Sequence, residues 1–153
     1  MTQSAEPGEF TYRRVHRGTP ELLFDCMTKP EHLARFWGPA GTTTPAGNII
    51  VDLRPGGAFE TVMVNDGDGS KYTMRAVYVE VRRPERLVWQ EPGVEGGMTT
   101  TITFTDLGDG TTEVVTHQTN VPAIFATPEG RAGFQTSLDR FAAYVAGLTD
   151  PRA

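Results

Sequence analysis

The sequence predicts an α+β fold in which a curved antiparallel sheet of seven strands wraps around a long C-terminal helix. Two short helices are expected after the first strand, and a cavity between the sheet and the long helix. The middle of the chain alternates apolar and polar residues, which is the period of a strand. Near the C-terminus, Phe134, Leu138, Phe141 and Val145 follow one another at helical spacing, so they form one apolar face.

The first strand is predicted over residues 10–16, and two helix starts follow it. Thr19, Pro20 and Glu21 form the first start, since threonine caps a helix, proline fits its first turn and glutamate favours its positive end. Residues 28–31 have the form of a capping box, which predicts the second start. This second helix is expected to end at Gly38, because Pro39 cannot continue it.

Six further strands are predicted over residues 49–53, 58–64, 72–81, 87–91, 98–105 and 112–119. Turn residues such as proline, glycine and aspartate separate them. The strand over 98–105 alternates most regularly, with every second residue apolar or aromatic except for a threonine. The connections are all compatible with antiparallel pairing. A long helix opening at Thr127 completes the fold and must cover the inward face of the sheet.

Length and charge limit the classes of function. The chain has 153 residues and a net charge of -5, which predicts one domain over 9–149 behind a disordered tail over 1–8. The acidic balance argues against nucleic acid as a partner. No apolar segment approaches the ~20 residues of a membrane span, and the polar first residues lack a signal peptide, so we expect a cytoplasmic protein without membrane insertion. It is expected to be a monomer or a homodimer.

The residue patterns give little support to catalysis or metal binding. Cys26 is the only cysteine and is interpreted as a buried, inert thiol. The three histidines lack metal-ligand spacing, so neither a metal nor a cofactor is expected. The available carboxylates are Asp52, Glu60, Glu80 and Glu91, and none is paired with an evident base. If the protein is an enzyme, Glu80 is the candidate acid or base, with Tyr78 and Gln118 orienting the substrate.

Inward-facing residues of the sheet and the long helix predict a mostly apolar pocket with a few polar groups that orient a ligand. Methionines suit an adaptable wall, and the hydroxyls exceed what a dry core normally holds. The alternative is a solid core in which these polar groups are satisfied. The predicted lining comprises Phe36, Trp37, Phe59, Thr61, Met63, Tyr72, Met74, Tyr78, Trp89, Met98, Thr100, Phe104, Thr116, Gln118, Phe134, Leu138 and Phe141.

Several motifs together resemble a known family. They are TKPEHLARFWGP at 28–39, DLRPGGAF at 52–59, YVEV at 78–81, PERLVW at 84–89, LDRFAAY at 138–144, and the Arg14 and His16 pair. In these motifs the chain resembles the activator of Hsp90 ATPase homologue 1-like family (C-terminal domain type), within the START-like, Bet v 1-like (SRPBCC) superfamily. The resemblance implies a helix-grip fold with a hydrophobic cavity. Phe36 and His16 depart from the residues common in that family, and both could reshape the cavity mouth.

The resemblance leaves three functions open. The leading hypothesis is the binding of a small hydrophobic or aromatic molecule, such as a lipid, between the sheet and the C-terminal helix. The second is a polyketide cyclase- or aromatase-like enzyme that acts in the same cavity. The third is a co-chaperone-like or stress-response interaction module, for which the family name implies an Hsp90-type chaperone as partner.

Overall fold

A computed structural model describes residues 8–94 and 97–150 of the chain. Their strands are β1 (Phe10–Arg17), β2 (Thr42–Thr43), β3 (Ile49–Val51), β4 (Ala58–Asn65), β5 (Lys71–Arg82), β6 (Arg86–Glu91), β7 (Met98–Asp106) and β8 (Thr111–Thr119). Their α-helices are α1 (Pro20–Thr28), α2 (Pro30–Leu33) and α3 (Pro128–Thr149), and a 3₁₀ helix spans Ala46–Asn48.

The strands form one antiparallel sheet in the order β1-β8-β7-β6-β5-β4-β2, with β3 beside β4. The predicted α+β helix-grip fold is confirmed: a curved sheet surrounds the long helix α3, and the short helices α1 and α2 follow β1. The seven predicted strands are all present. The additional strand, β2, has two residues, which is too short to show an alternating pattern.

The start of α1 agrees with the prediction, whereas that of α2 does not. The hydroxyl of Thr19 accepts a hydrogen bond from the Leu22 amide at 3.1 Å, as a capping residue does. Thr28 does not cap α2, because its hydroxyl donates to the Phe24 carbonyl inside α1 at 2.9 Å. Lys29 stands at the N-cap instead and makes no side-chain cap bond. The helix ends at Leu33 rather than at Gly38 as predicted.

One end of the sheet is closed by a solid core beneath α1. Leu23, Phe24 and Cys26 are fully buried there. The ring of Phe24 meets Phe104 of β7 edge-on, with centroids 5.6 Å apart. Burial raises the pKa of the Cys26 thiol to about 11, so the thiolate is scarce and the residue serves as a small apolar side chain. Because this end of the sheet is filled, the cavity lies at the other end.

Helix α3 crosses the open side of the sheet beside β1. Its apolar face changes character along the helix: Phe141 and Val145 are buried, whereas Phe134 and Leu138 remain partly accessible. The ring of Tyr12 on β1 packs against Phe134 with centroids 5.2 Å apart. The C-terminal half of α3 therefore seals the core, and its N-terminal half stands over free space.

The first described residues are tied to the sheet. The carbonyl of Gly8, which the sequence assigned to the tail, accepts a hydrogen bond from the Val121 amide at 3.0 Å. The rest of the predicted tail, residues 1–7, lies outside the described residues. No helix among the described residues is both long and apolar enough to span a membrane.

Candidate ligand-binding site

The free space between sheet and helix has two connected parts. We call the deeper one the inner chamber; its volume is about 200 Å³. We call the part at the surface the outer vestibule; its volume is about 420 Å³. Both are lined by Pro39, Met63, Tyr72, Met98, Gln118, Phe125, Phe134 and Ser137, so one passage joins them. The inner chamber is further lined by Met27, Phe36, Trp37, Gly38, Met74, Trp89, Glu91, Thr100, Ile102, Thr116, Leu138 and Phe141.

Regular secondary structure aims most of these side chains inward. On α3, Phe134, Ser137, Leu138 and Phe141 follow at spacings of three, one and three, which places them on one helix face. On the strands, side chains two residues apart share a face, so Trp89 and Glu91 of β6 point the same way. The chamber is therefore built mostly from strands and helices, and its loop residues are Phe125 and those of the segment 36–39 that follows α2.

Most of the predicted lining residues border the inner chamber. On its wall are Phe36, Trp37, Met63, Tyr72, Met74, Trp89, Met98, Thr100, Thr116, Gln118, Phe134, Leu138 and Phe141. Four predicted residues are absent from both walls: Phe59, Thr61, Tyr78 and Phe104. All four side chains point to the inward face of the sheet. Phe104 lies beneath α1, Trp37 covers Phe59 and Thr61, and Tyr78 stacks on Phe59.

Trp37 forms the floor that separates the chamber from the solid core. Its indole Nε1 donates a hydrogen bond to the Thr61 hydroxyl at 3.0 Å. Its ring also packs edge-on against Phe59, with centroids 5.2 Å apart, and tilts against Trp89 at 6.1 Å. Beneath it, Phe59 and Tyr78 stack with an interplanar angle of 10°. The two-residue alternation of the strands predicted that these side chains share one face. It could not predict that the indole ring of Trp37 lies across that face.

The candidate acid of the enzyme hypothesis lies away from the cavity. Glu80 pairs with Val88 of β6 beyond a bulge in β5, and its carboxylate accepts a hydrogen bond from Arg86 Nε at 2.9 Å. A second guanidinium, that of Arg82, lies 3.3 Å from it. Tyr78 is likewise off the wall, and of the three proposed catalytic residues only Gln118 borders the chamber. The structure therefore does not assemble this set.

Glu91 is the unexpected ionisable residue of the chamber. It is 8% exposed, and no donor of the described residues hydrogen-bonds its carboxylate. Burial raises the pKa of Glu91 to about 7, because the ionised form loses hydration. Burial and, secondarily, the charge of Glu91 also raise the pKa of Tyr72 on the same wall. From the sequence, Glu91 is predicted only as an available carboxylate, although its position two residues after the inward Trp89 places it on that face.

The predicted lining left out several residues of the chamber wall, for two different reasons. Ile102 shares the alternation of β7, and Ser137 follows Phe134 by three residues on α3, so both carried a periodic signal. Gly38, Pro39 and Phe125 come from loops, where no period indicates which residue turns inward, and Met27 comes from the last turn of the short helix α1. Their positions depend on tertiary packing alone.

The outer vestibule carries the cations of the cavity. The guanidinium of Arg131 on α3 lies 4.1 Å from the ring centroid of Phe10 and 3.5 Å from the Tyr12 hydroxyl, to which it donates. Lys71 stands on the opposite wall. Phe125 lines both parts of the cavity although it is 39% exposed. The mouth is thus basic and aromatic, whereas the chamber holds a carboxyl group.

The described residues hold no cluster of three or more histidine, cysteine or acidic side chains suited to a metal ion.

Comparison with known proteins assigns the family. The profile described as Activator of Hsp90 ATPase homolog 1-like protein matches residues 17–146. This chain belongs to that family. The match runs from the last residue of β1 to the C-terminal part of α3, so it includes α1, α2 and the strands β2 to β8. No curated protein matches the chain.

Solved structures of other proteins share the fold along nearly their whole length. A protein from Chromobacterium violaceum is 28% identical, with a TM-score of 0.80, and the match covers 91% of this chain and 98% of that one. One from Nitrosomonas europaea is 24% identical, with a TM-score of 0.79 and coverages of 97% and 100%. The AHSA1 protein from Silicibacter pomeroyi is 22% identical, with a TM-score of 0.75 and coverages of 92% and 99%. The last two likenesses are of fold alone.

Proposed function

We propose that the protein binds a small apolar or aromatic molecule in the inner chamber. The observation that carries the proposal is the chamber itself: about 200 Å³ of space lined by seven aromatic rings and four methionines. An engineered apolar cavity of roughly 150 Å³ in another protein binds benzene. A chamber of this size therefore accommodates at least one aromatic ring system, and the vestibule leaves room for a longer substituent.

The composition of the wall supports selective binding. Aromatic and thioether side chains supply apolar contact, worth about 25 cal/mol for each Å² removed from water. Thr100, Thr116, Gln118 and Ser137 add a few hydrogen-bonding groups at separate points of the wall. A mostly apolar pocket with few polar groups is the usual composition of a ligand site.

The cyclase and interaction-module hypotheses require different features of the molecule. The cyclase hypothesis needs an acid or base inside the cavity. Its candidate, Glu80, is engaged with two arginines elsewhere, which leaves Glu91 as the carboxyl group on the described chamber wall. The interaction-module hypothesis needs no ligand at all. It predicts that partner binding, for example to an Hsp90-type chaperone, survives the filling of the chamber.

Filling the chamber tests the proposal directly. The probe is 2-naphthylmethanol, a neutral bicyclic alcohol, and its affinity is measured by isothermal titration calorimetry. Met98→Trp and Met74→Trp each place an indole in the chamber and should weaken binding at least about tenfold, since the ligand must displace it. Thr73→Trp is the matched control, because Thr73 neighbours Met74 but is exposed on the other face of β5.

The proposal fails if the wild-type protein does not bind the alcohol at millimolar concentration. It also fails if both filled variants bind it as well as Thr73→Trp does. Thermal unfolding of each variant shows whether the fold is kept, so that weakened binding is not confused with unfolding.

A further inference from the structure

We propose that the inner chamber selects an organic cation, namely an aromatic or alkyl amine, and that Glu91 is its counter-ion. This inference rests on the proposed function and narrows it to one chemical class of ligand. It begins from an imbalance in the chamber: the described wall carries a carboxyl group and no lysine, arginine or histidine.

The carboxyl group of Glu91 lacks a partner within the described residues. The side chain projects from β6, where Glu91 pairs with Met98 of β7. No hydrogen bond or ion pair joins it to a described residue, although it is more than nine-tenths buried. A buried carboxylate is costly unless a cation or hydrogen-bond donor compensates it. An ammonium group inside the chamber would supply both, through a charge-assisted hydrogen bond.

The rest of the wall also suits a cation. The faces of aromatic rings attract a positive charge, most strongly those of tryptophan. Trp37 and Trp89 border the chamber together with one tyrosine and four phenylalanines. A carboxylate among aromatic rings therefore binds the ammonium group, and the same rings bind the apolar part of the ligand.

An acidic amphiphile is the competing ligand. Its carboxylate would lie in the outer vestibule beside Arg131 and Lys71, with its apolar tail in the chamber. The tail would leave Glu91 uncompensated in an apolar environment. Arg131 is moreover engaged with Phe10 and Tyr12. The chamber thus favours the amine.

The ionisable groups around the site define its pH response. Tyr72 of β5 faces Glu91 within the chamber. At the mouth stand Lys71 of β5, Arg131 of α3 and Tyr12 of β1, while the described lining of β7 and β8 contributes no ionisable group. As the pH rises from 5.5 to 8, Glu91 passes through its pKa of about 7 and becomes negatively charged. Affinity for an amine, which stays protonated over this range, should therefore rise with pH.

Three probes of one shape test the inference: 2-naphthylmethylamine, 2-naphthylmethanol and 2-naphthoate. Calorimetry at pH 8 should give an affinity for the amine at least about tenfold above that for the alcohol, because a charge-assisted bond replaces a neutral one. In Glu91→Gln the preference should fall to about threefold or less. Glu113→Gln is the matched control, since it removes a carboxylate from an exposed pair with Arg13 outside the cavity.

Each outcome separates the inference from the proposed function. If the alcohol binds the wild-type protein as tightly as the amine, the counter-ion role is wrong and cavity binding stands. If 2-naphthoate binds tightest and Arg131→Gln abolishes that binding, the acidic amphiphile is correct. If none of the probes binds, both proposals fail. Should Glu91→Gln unfold, the affinities of the wild-type protein for the amine and the alcohol are measured at pH 5.5 and at pH 8. A preference for the amine that is equal at the two pH values overturns the inference.

Discussion

Glu91 should make the stability of the ligand-free protein depend on pH. Burial raises its pKa from 4.5 to about 7 in the folded state. Between these values the folded state holds a proton that the unfolded state has released, so stability falls as pH rises. This pKa difference corresponds to about 3 kcal/mol, and linkage places most of that free energy between pH 5 and pH 8.

The variant Glu91→Gln removes this titration and keeps the size of the side chain. We expect its unfolding free energy to exceed that of the wild-type protein at pH 8. This difference in unfolding free energy should be smaller by about 2–3 kcal/mol at pH 5, where Glu91 is neutral. Urea denaturation followed by tryptophan fluorescence at both pH values measures the difference. Glu113→Gln controls for the general loss of one negative charge.

The result that would refute the reasoning is a constant difference. If Glu91→Gln and the wild-type protein differ equally at pH 5 and pH 8, the carboxyl group has an ordinary pKa and water reaches it freely. A difference that grows toward low pH would mean that the folded state favours the ionised form, as a bound cation or a donor would cause.

Four further variants concern the solid core, helix α3 and the turn before β4. Tyr78→Phe should be neutral or stabilising by up to about 1 kcal/mol in urea denaturation, because the buried hydroxyl has no partner within the described residues. Thr61→Val should cost about 1 kcal/mol or more and shift the fluorescence of Trp37, which loses the acceptor of its indole N–H; an unchanged spectrum would contradict this. Gly147→Ala, on an open helix face, should raise the melting temperature by about 2–4 °C, whereas Gly57→Ala should unfold the protein, because its Cβ would overlap the Asp52 carbonyl.

Local sequence patterns predicted most of the fold, because strand alternation and helix capping depend only on residues close together in the chain. The alternation over 98–105 placed Met98, Thr100 and Ile102 on one face without knowledge of their neighbours. The start of α1 followed from Thr19 and Pro20 in the same way. The second start failed because Thr28 had two possible partners for its hydroxyl, and the bond inside α1 won. The motif alone does not distinguish them.

The sequence by itself determined the order of the elements, the inward faces of the strands and the apolar face of α3. These follow from periods of two and 3.6 residues, which are properties of the backbone. Only the tertiary structure decided where the inward residues pack solid and where they leave space. Trp37 closes over Phe59 and Thr61, and Glu80 turns outward to arginines, while Glu91 enters the chamber. Each of these positions depends on contacts between residues distant in sequence, which no local period records.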